Sequence, residues 1–187
     1  TYDWQNYTPY EIRNAGAFLY LDQPERTHDL LKYFFADQRP QGWNHWAEVV
    51  WKDPKLPRFI GDMPHTWVGS DFLTVARSLF VYEDESANSL VVGAGLYKDW
   101  IDDPSGISIN NLKTYYGTLS YSIKKHNNTY GIILEGNLKV PVGGIIIKNL
   151  LKGVKPKSVT INNNSINTFN EEDITINTFP ATILIEY

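Results

Sequence analysis

TYYGTLSYSIKKHNNTYGIILE, residues 114–135, alternates apolar and polar side chains on either side of an Asn-rich break. A period of two places successive side chains on opposite faces of a strand. Thr114–Lys125 therefore reads as one strand and Tyr130–Glu135 as its partner. His126-Asn127-Asn128 supplies the turn, because Asn tolerates left-handed backbone angles. Working outward, the same β-branched and aromatic character recurs at Ser89–Ala94, Gly144–Leu150, Ser158–Ile161, Ile174–Asn177 and Ala181–Tyr187. Gly136-Asn137 reads as a further turn, and Lys157–Ser165 as a hairpin closed by Asn162-Asn163-Asn164. The Asn-rich stretch 162–170 otherwise reads as loop. Short strands with turn signals at this spacing predict an antiparallel β-sandwich.

Before residue 86 the period is helical. Thr8-Pro9-Tyr10-Glu11 has the form of a capping box with Pro at the first helical position. Ile12, Ala15, Phe18 and Leu19 then form one apolar stripe. A second helix is expected from Asp22-Gln23-Pro24-Glu25, with Leu30, Leu31, Phe34 and Phe35 inward, and Arg39-Pro40-Gln41-Gly42 ends it. Trp43–Trp51 is expected to be a short helix. Residues 52–64 hold Pro54, Pro57, Gly61 and Pro64 and predict a long loop. A last helix spans Thr66–Tyr82, with Val68, Phe72, Val75, Ala76, Leu79 and Phe80 inward, and Glu83-Asp84-Glu85 follows as a solvated charge run. The fold class is α+β: a helical segment over 1–86 and a sandwich over 87–187. A few helices this rich in aromatics do not easily close a core alone: either they pack on the sandwich, or, as the aromatic density favours, they are the end of a larger helical domain.

Composition narrows the function. The chain has 187 residues and a net charge of -4, which argues against nucleic acid as a partner. No apolar run is long enough for a membrane helix, so no membrane insertion is expected. The absence of Cys excludes a disulfide framework, a Cys-zinc site and thiol catalysis. His28, His45, His65 and His126 form no His-x-x-x-His pair and no cluster with carboxylates at ligand spacing, so neither metal nor cofactor is expected. With no initiator Met or leader before Thr1, the chain reads as a processed or excised piece.

Aromatic residues make up 14% of the chain, including 6 Trp, and they cluster. Gly42-Trp43-Asn44-His45-Trp46-Ala47-Glu48-Val49-Val50-Trp51 holds three Trp, one His and one Glu. Indole faces stack on the C–H face of a sugar ring while Asn, His and Glu bond its hydroxyls, the division of labour of a concave ligand site. In a helix, Asn44 and Glu48 share a face. The same residues also fit a plainer reading, with the Trp side chains in the core and Glu48 on the surface. Gly61-Asp62-Met63-Pro64-His65-Thr66-Trp67 joins the Pro-rich loop to the last helix. Asp62 or Thr66 can cap that helix, and His65 and Trp67 can either face a cleft at its start or serve as structure.

Taken in order, GWNHWAEVVW (42–51), FIGDMPHTWVGSDFLTVARSLFVYE (59–83), LVVGAG (90–95) with Trp100, and NLKTYYGTLSYSI (111–123) resemble the C-terminal end of bacterial six-hairpin glycosidase-like proteins of the α-L-rhamnosidase-like group. The tail, PKSVTINNNSI (156–166) and PATILIEY (180–187), is similar to the closing strands of their sandwiches, with Asn163 where Gly is expected. The resemblance implies that 1–86 are the last hairpins of an (α/α) toroid and that the parent protein hydrolyses a glycan. It implies Glu48 as catalytic acid, base or hydroxyl-binding group, and Trp43, Asn44, His45, Trp46, Asp62, His65 and Trp67 as substrate-binding residues. The partners implied are an oligosaccharide or polysaccharide and an upstream domain of the same parent chain, which would supply the second carboxylate. The isolated chain would then be inactive, and the parent periplasmic, cell-surface or secreted. The same residues also admit a non-catalytic carbohydrate-binding or structural accessory module.

Overall fold

The computed structural model describes residues 6–53, 55 and 60–187. Pro54 and Pro57, two of the prolines behind the predicted long loop, lie outside the described residues. The chain divides into two compact units, Thr1–Ser78 and Leu79–Tyr187.

In the first unit, β1 (Asn6–Tyr7) leads into a 3-10 turn at Pro9–Ile12. Thr8 caps that turn as the sequence predicts, its hydroxyl accepting from the Tyr10 N–H at 3.4 Å. Helices α1 (Arg13–Tyr20) and α2 (Pro24–Ala36) follow. The Thr27 hydroxyl is fully buried and donates to the Ala15 carbonyl at 2.7 Å, tying α2 to α1. Ile12, Ala15, Leu19, Leu31 and Phe34 are buried, but Phe35, expected inside, is 61% exposed. It shares its helix with Phe34, and one turn cannot aim adjacent side chains at the same core.

The predicted helix over Trp43–Trp51 does not form. Gly42 and Asn44 take positive φ angles (77° and 54°), which an α-helix cannot accommodate, and Val50–Trp51 is strand β2, paired with β1 through Asn6↔Trp51 and Tyr7↔Val50. β-branched Val49 and Val50 favour the extended state. Helix α3 (Thr66–Phe80) buries Val68, Phe72 and Val75, while Ala76, predicted inward, is exposed.

The Leu79–Tyr187 unit is sandwich-like. α3 stops at Phe80, two residues short of the predicted end, because Val81–Asp84 forms β3 against β4 (Ser89–Val92). Its sheet thus starts ahead of the 86/87 division expected from the sequence. Asp84 is more than part of a charge run. Its carboxylate accepts from the Ser86 hydroxyl and the Ser86 and Ala87 N–H groups, which shapes the turn and holds its pKa below the usual range. After α4 (Lys98–Asp102) come β5 (Ile107–Thr114), β6 (Gly117–His126), β7 (Thr129–Leu138), β8 (Ile145–Lys148), β9 (Ser158–Ile161), β10 (Asn164–Ile166), β11 (Asp173–Ile176) and β12 (Ala181–Glu186).

One sheet runs β10-β9-β12-β7-β6-β5 and the other β11-β8-β4-β3. Every pair is antiparallel except β4 with β8, which is parallel with Leu90↔Ile145 in register. The β6–β7 ladder extends from Gly117↔Leu138 to His126↔Thr129 around Asn127, whose φ is 55°. Gly136, read as a turn, lies inside β7. A Cβ there would sit 2.3 Å from the Thr118 carbonyl oxygen, so close backbone approach explains the glycine. Asn162 and Asn163 form the predicted hairpin turn, both at positive φ, and Asn163 thereby takes the conformation in which Gly was expected.

Leu90, Val92, Ile145, Ile147, Ile174 and Ile176 of one sheet form a single buried cluster with Leu119, Tyr121, Ile123, Ile132, Leu134, Ile183 and Ile185 of the other. Each such side chain contributes about 1.5–3 kcal/mol on burial. Burial also pushes the Tyr121 hydroxyl pKa up strongly, and the hydroxyl donates to the Phe80 carbonyl at 3.3 Å. No helix among the described residues is long and apolar enough to cross a membrane.

Asp102 fastens α4 to the six-stranded sheet. Its carboxylate accepts from Lys125 Nζ and the Tyr130 hydroxyl, each at 2.8 Å, and pairs with Lys98 one turn back. The bonds from Lys125, Lys98 and Tyr130 hold its pKa far below the ordinary carboxylate value. A carboxyl group whose folded pKa is depressed stabilises the fold above its unfolded pKa, and that contribution fades as pH falls toward the folded value. Asp102→Ala should lower stability at pH 7 by about 1–2 kcal/mol, discounted for partial exposure. In denaturant melts the gap from wild type should shrink progressively below about pH 4. A gap that does not change with pH would remove the charge from the account.

Candidate functional site

The Trp-rich segment is not helical, and its backbone groups bond instead across to the segment before α3. The Gly61 N–H donates to the Val49 carbonyl at 2.8 Å, the Glu48 N–H to the Asp62 carbonyl at 3.0 Å, and the His65 N–H to the Trp46 carbonyl at 2.8 Å. Val50 and Ile60 form an antiparallel bridge beside them. From the other side the Thr8 hydroxyl donates to the Glu48 carbonyl at 2.7 Å. Gly61 permits this approach: a Cβ there would lie 3.2 Å from the Val49 nitrogen and 3.4 Å from the Glu48 Cβ.

These bonds bring together Glu48, Asp62 and His65. One carboxylate oxygen from each acid and one ring nitrogen of the histidine all lie within 4.8 Å of one another. Linear spacing showed no His–carboxylate cluster; the fold builds one from residues 14 and 3 positions apart. Glu48 and His65 are half-buried and Asp62 is exposed. His65 immediately precedes α3, and its carbonyl accepts the first helical bond from the Gly69 N–H at 3.1 Å. Among the described residues the Asp62 carboxylate accepts no hydrogen bond from the start of α3.

Aromatic rings fix the histidine. Tyr10 meets it edge-on at 5.3 Å and Trp67 at 6.1 Å. Its Nδ1 is enclosed and has no hydrogen-bond partner among the described residues. Burial, followed by the negative charge of Glu48, raises the Tyr10 hydroxyl pKa. The guanidinium of Arg13 lies 4.4 Å above the Tyr10 ring and pairs with Asp71 at 2.7 Å. Tyr10 carries no linear signal for the site, since it stands on the 3-10 turn nearly forty residues before Glu48.

An open groove of about 600 Å³ is lined by Asp62, Met63, Pro64, His65, Thr66 and Trp67. Trp67 is 70% exposed there. The rest of the predicted set divides. Trp43, Asn44 and His45 are exposed but are not among the residues lining the groove. Trp46 stacks on Phe72 with centroids 3.6 Å apart and planes 10° apart, and Phe35 meets it at 5.9 Å. One indole face is therefore covered by protein, so Trp46 is a packing residue on that side.

Comparisons with protein-family models, curated proteins and solved structures return no match for this chain.

The two indoles should separate cleanly on mutation. Trp46→Ala removes a stacked ring and should cost about 3 kcal/mol in a denaturant melt. Trp67→Ala removes an exposed ring and should change stability by less than about 0.5 kcal/mol. Equal effects would contradict the division into packing and exposed roles.

Proposed function

We propose that the groove beside Trp67 is a saccharide subsite and that the chain is the C-terminal part of a carbohydrate-active protein. The observation that carries this reading is the 70%-exposed Trp67 ring on the wall of an open groove that also presents Asp62 and His65, with Glu48 within 4.8 Å of both. An exposed indole beside fixed polar groups offers a sugar its stacking face and its hydroxyl partners together. Trp43, 59% exposed, supplies a second platform outside this groove, with Asn44 and His45 beside it.

In this reading Glu48 binds a hydroxyl or transfers a proton. Asp62 stands closer to it than the ~6.5–9.5 Å by which an inverting pair makes room for water. The second carboxyl group of an inverting reaction would thus come from an upstream domain of the parent chain, and the isolated chain would be inactive. The resemblance to six-hairpin glycosidase-like proteins supports a toroid origin for the helical segment, as does its uncovered apolar surface: Tyr20, Leu21, Tyr33, Phe35 and Leu73 are all more than half exposed. A glycan substrate would place the parent in the periplasm, at the cell surface or outside the cell.

Titration of the chain with a panel of plant and host oligosaccharides, followed by Trp fluorescence, tests the subsite. A saturable change that Trp67→Ala abolishes is the expected result. A response unaffected by Trp67→Ala would overturn the assignment. Binding by the chain together with undiminished turnover of a Glu48→Gln parent would leave a non-catalytic binding module.

A further inference from the structure

We propose that Glu48, Asp62 and His65 form a binding site for a borderline divalent metal ion, with Zn²⁺ the best match to the donor set. Their candidate donor atoms already lie within 4.8 Å of one another. Zinc takes nitrogen and oxygen ligands at ~2.0–2.2 Å, so small side-chain rotations bring all three to one centre.

Two observations beyond proximity point the same way. The first is the unmet bonding capacity of the group. Among the described residues none of the three side chains makes a hydrogen bond or ion pair, and the enclosed Nδ1 of His65 has no partner. The second is charge. Glu48 and Asp62 bring two carboxylates together with no Lys or Arg paired to either among the described residues. A dication answers both demands. The backbone bonds from Glu48 to Asp62 and from His65 to Trp46 fix the backbone positions of the three residues before any ion arrives, which reduces the ordering cost of binding.

The donor chemistry selects the ion. One imidazole nitrogen with two carboxylate oxygens suits Zn²⁺ or Mn²⁺ better than Ca²⁺ or Mg²⁺, which prefer oxygen alone. Three protein ligands leave at least one coordination position for water or a ligand oxygen. Asp62 and His65 also line the open groove, so that position is reachable from solvent. The metal site stands independently of the saccharide reading.

Calorimetric titration of the metal-stripped 187-residue chain with ZnCl₂, then MnCl₂ and CaCl₂, is the test. One saturable Zn²⁺ per chain is expected, with Ca²⁺ weaker. Glu48→Gln and Asp62→Asn should each weaken Zn²⁺ binding by about tenfold or more, since each removes a direct ligand and even outer-shell losses cost ~10–100-fold. His65→Ala should abolish it. Imidazole NMR of the unaltered chain decides the matter if a variant fails to fold: the first equivalent of Zn²⁺ should shift His65 and spare His28, His45 and His126. Absence of saturable binding, binding that survives both His65→Ala and Glu48→Gln, or first-equivalent shifts at another histidine would each overturn the site. Saccharide titrations run in chelator and in Zn²⁺ keep the two readings apart, because either can fail while the other stands.

Discussion

The geometry of the first unit depends on how the backbone of residues 46–49 is satisfied. These residues bond to the carbonyls and N–H groups of 61–65 instead of to themselves. A buried or half-buried peptide group must find a partner, and here the partner is another segment of the chain, so no helix forms over these residues. That one exchange carries the site. It aligns Glu48 beside Asp62, seats His65 at the head of α3, and leaves the Trp67 ring on the groove wall. The Thr8 hydroxyl secures the outer side of Glu48, and the missing side chain at Gly61 allows the two backbones to close.

The same exchange sorts the aromatic residues. Trp46 turns onto Phe72 and Ala47 is fully buried, while Glu48 faces Asp62 and His65. A tryptophan-rich sequence thus provides both packing and an exposed surface, and the two are kept on separate rings. Trp67, at the start of α3, is free to present its face because Val68 beside it takes the buried position in the helix.

The Leu79–Tyr187 unit rests on a different constraint. Without Cys, nothing covalent staples it. Its stability comes from two sheets whose inward positions form one cluster of Ile, Leu, Val and Tyr. Polar devices then fix details the core leaves open. Asp84 shapes the β3–β4 turn, Asp102 fastens α4, and Asn162 receives the Thr182 N–H at 2.8 Å on its side-chain oxygen to hold the β9–β10 hairpin to β12.

Periodicity alone determined most of this sandwich-like sheet pair, because the alternation of Leu119, Tyr121 and Ile123 against Ser120 and Ser122 allows only one face to be buried. It also located α1, α2 and α3, whose stripes recur every three to four residues. The parallel pairing of β4 with β8, the early start of β3 and the non-helical path of 46–51 were not legible, since each depends on a partner distant in sequence. For the site, the residue types were visible: Glu48, Asp62, His65 and Trp67 stand in two short aromatic-rich motifs. Their convergence was not, because a helix and a ribbon send the same side chains in different directions. Only the hydrogen bonds between the two motifs decide which path the backbone adopts.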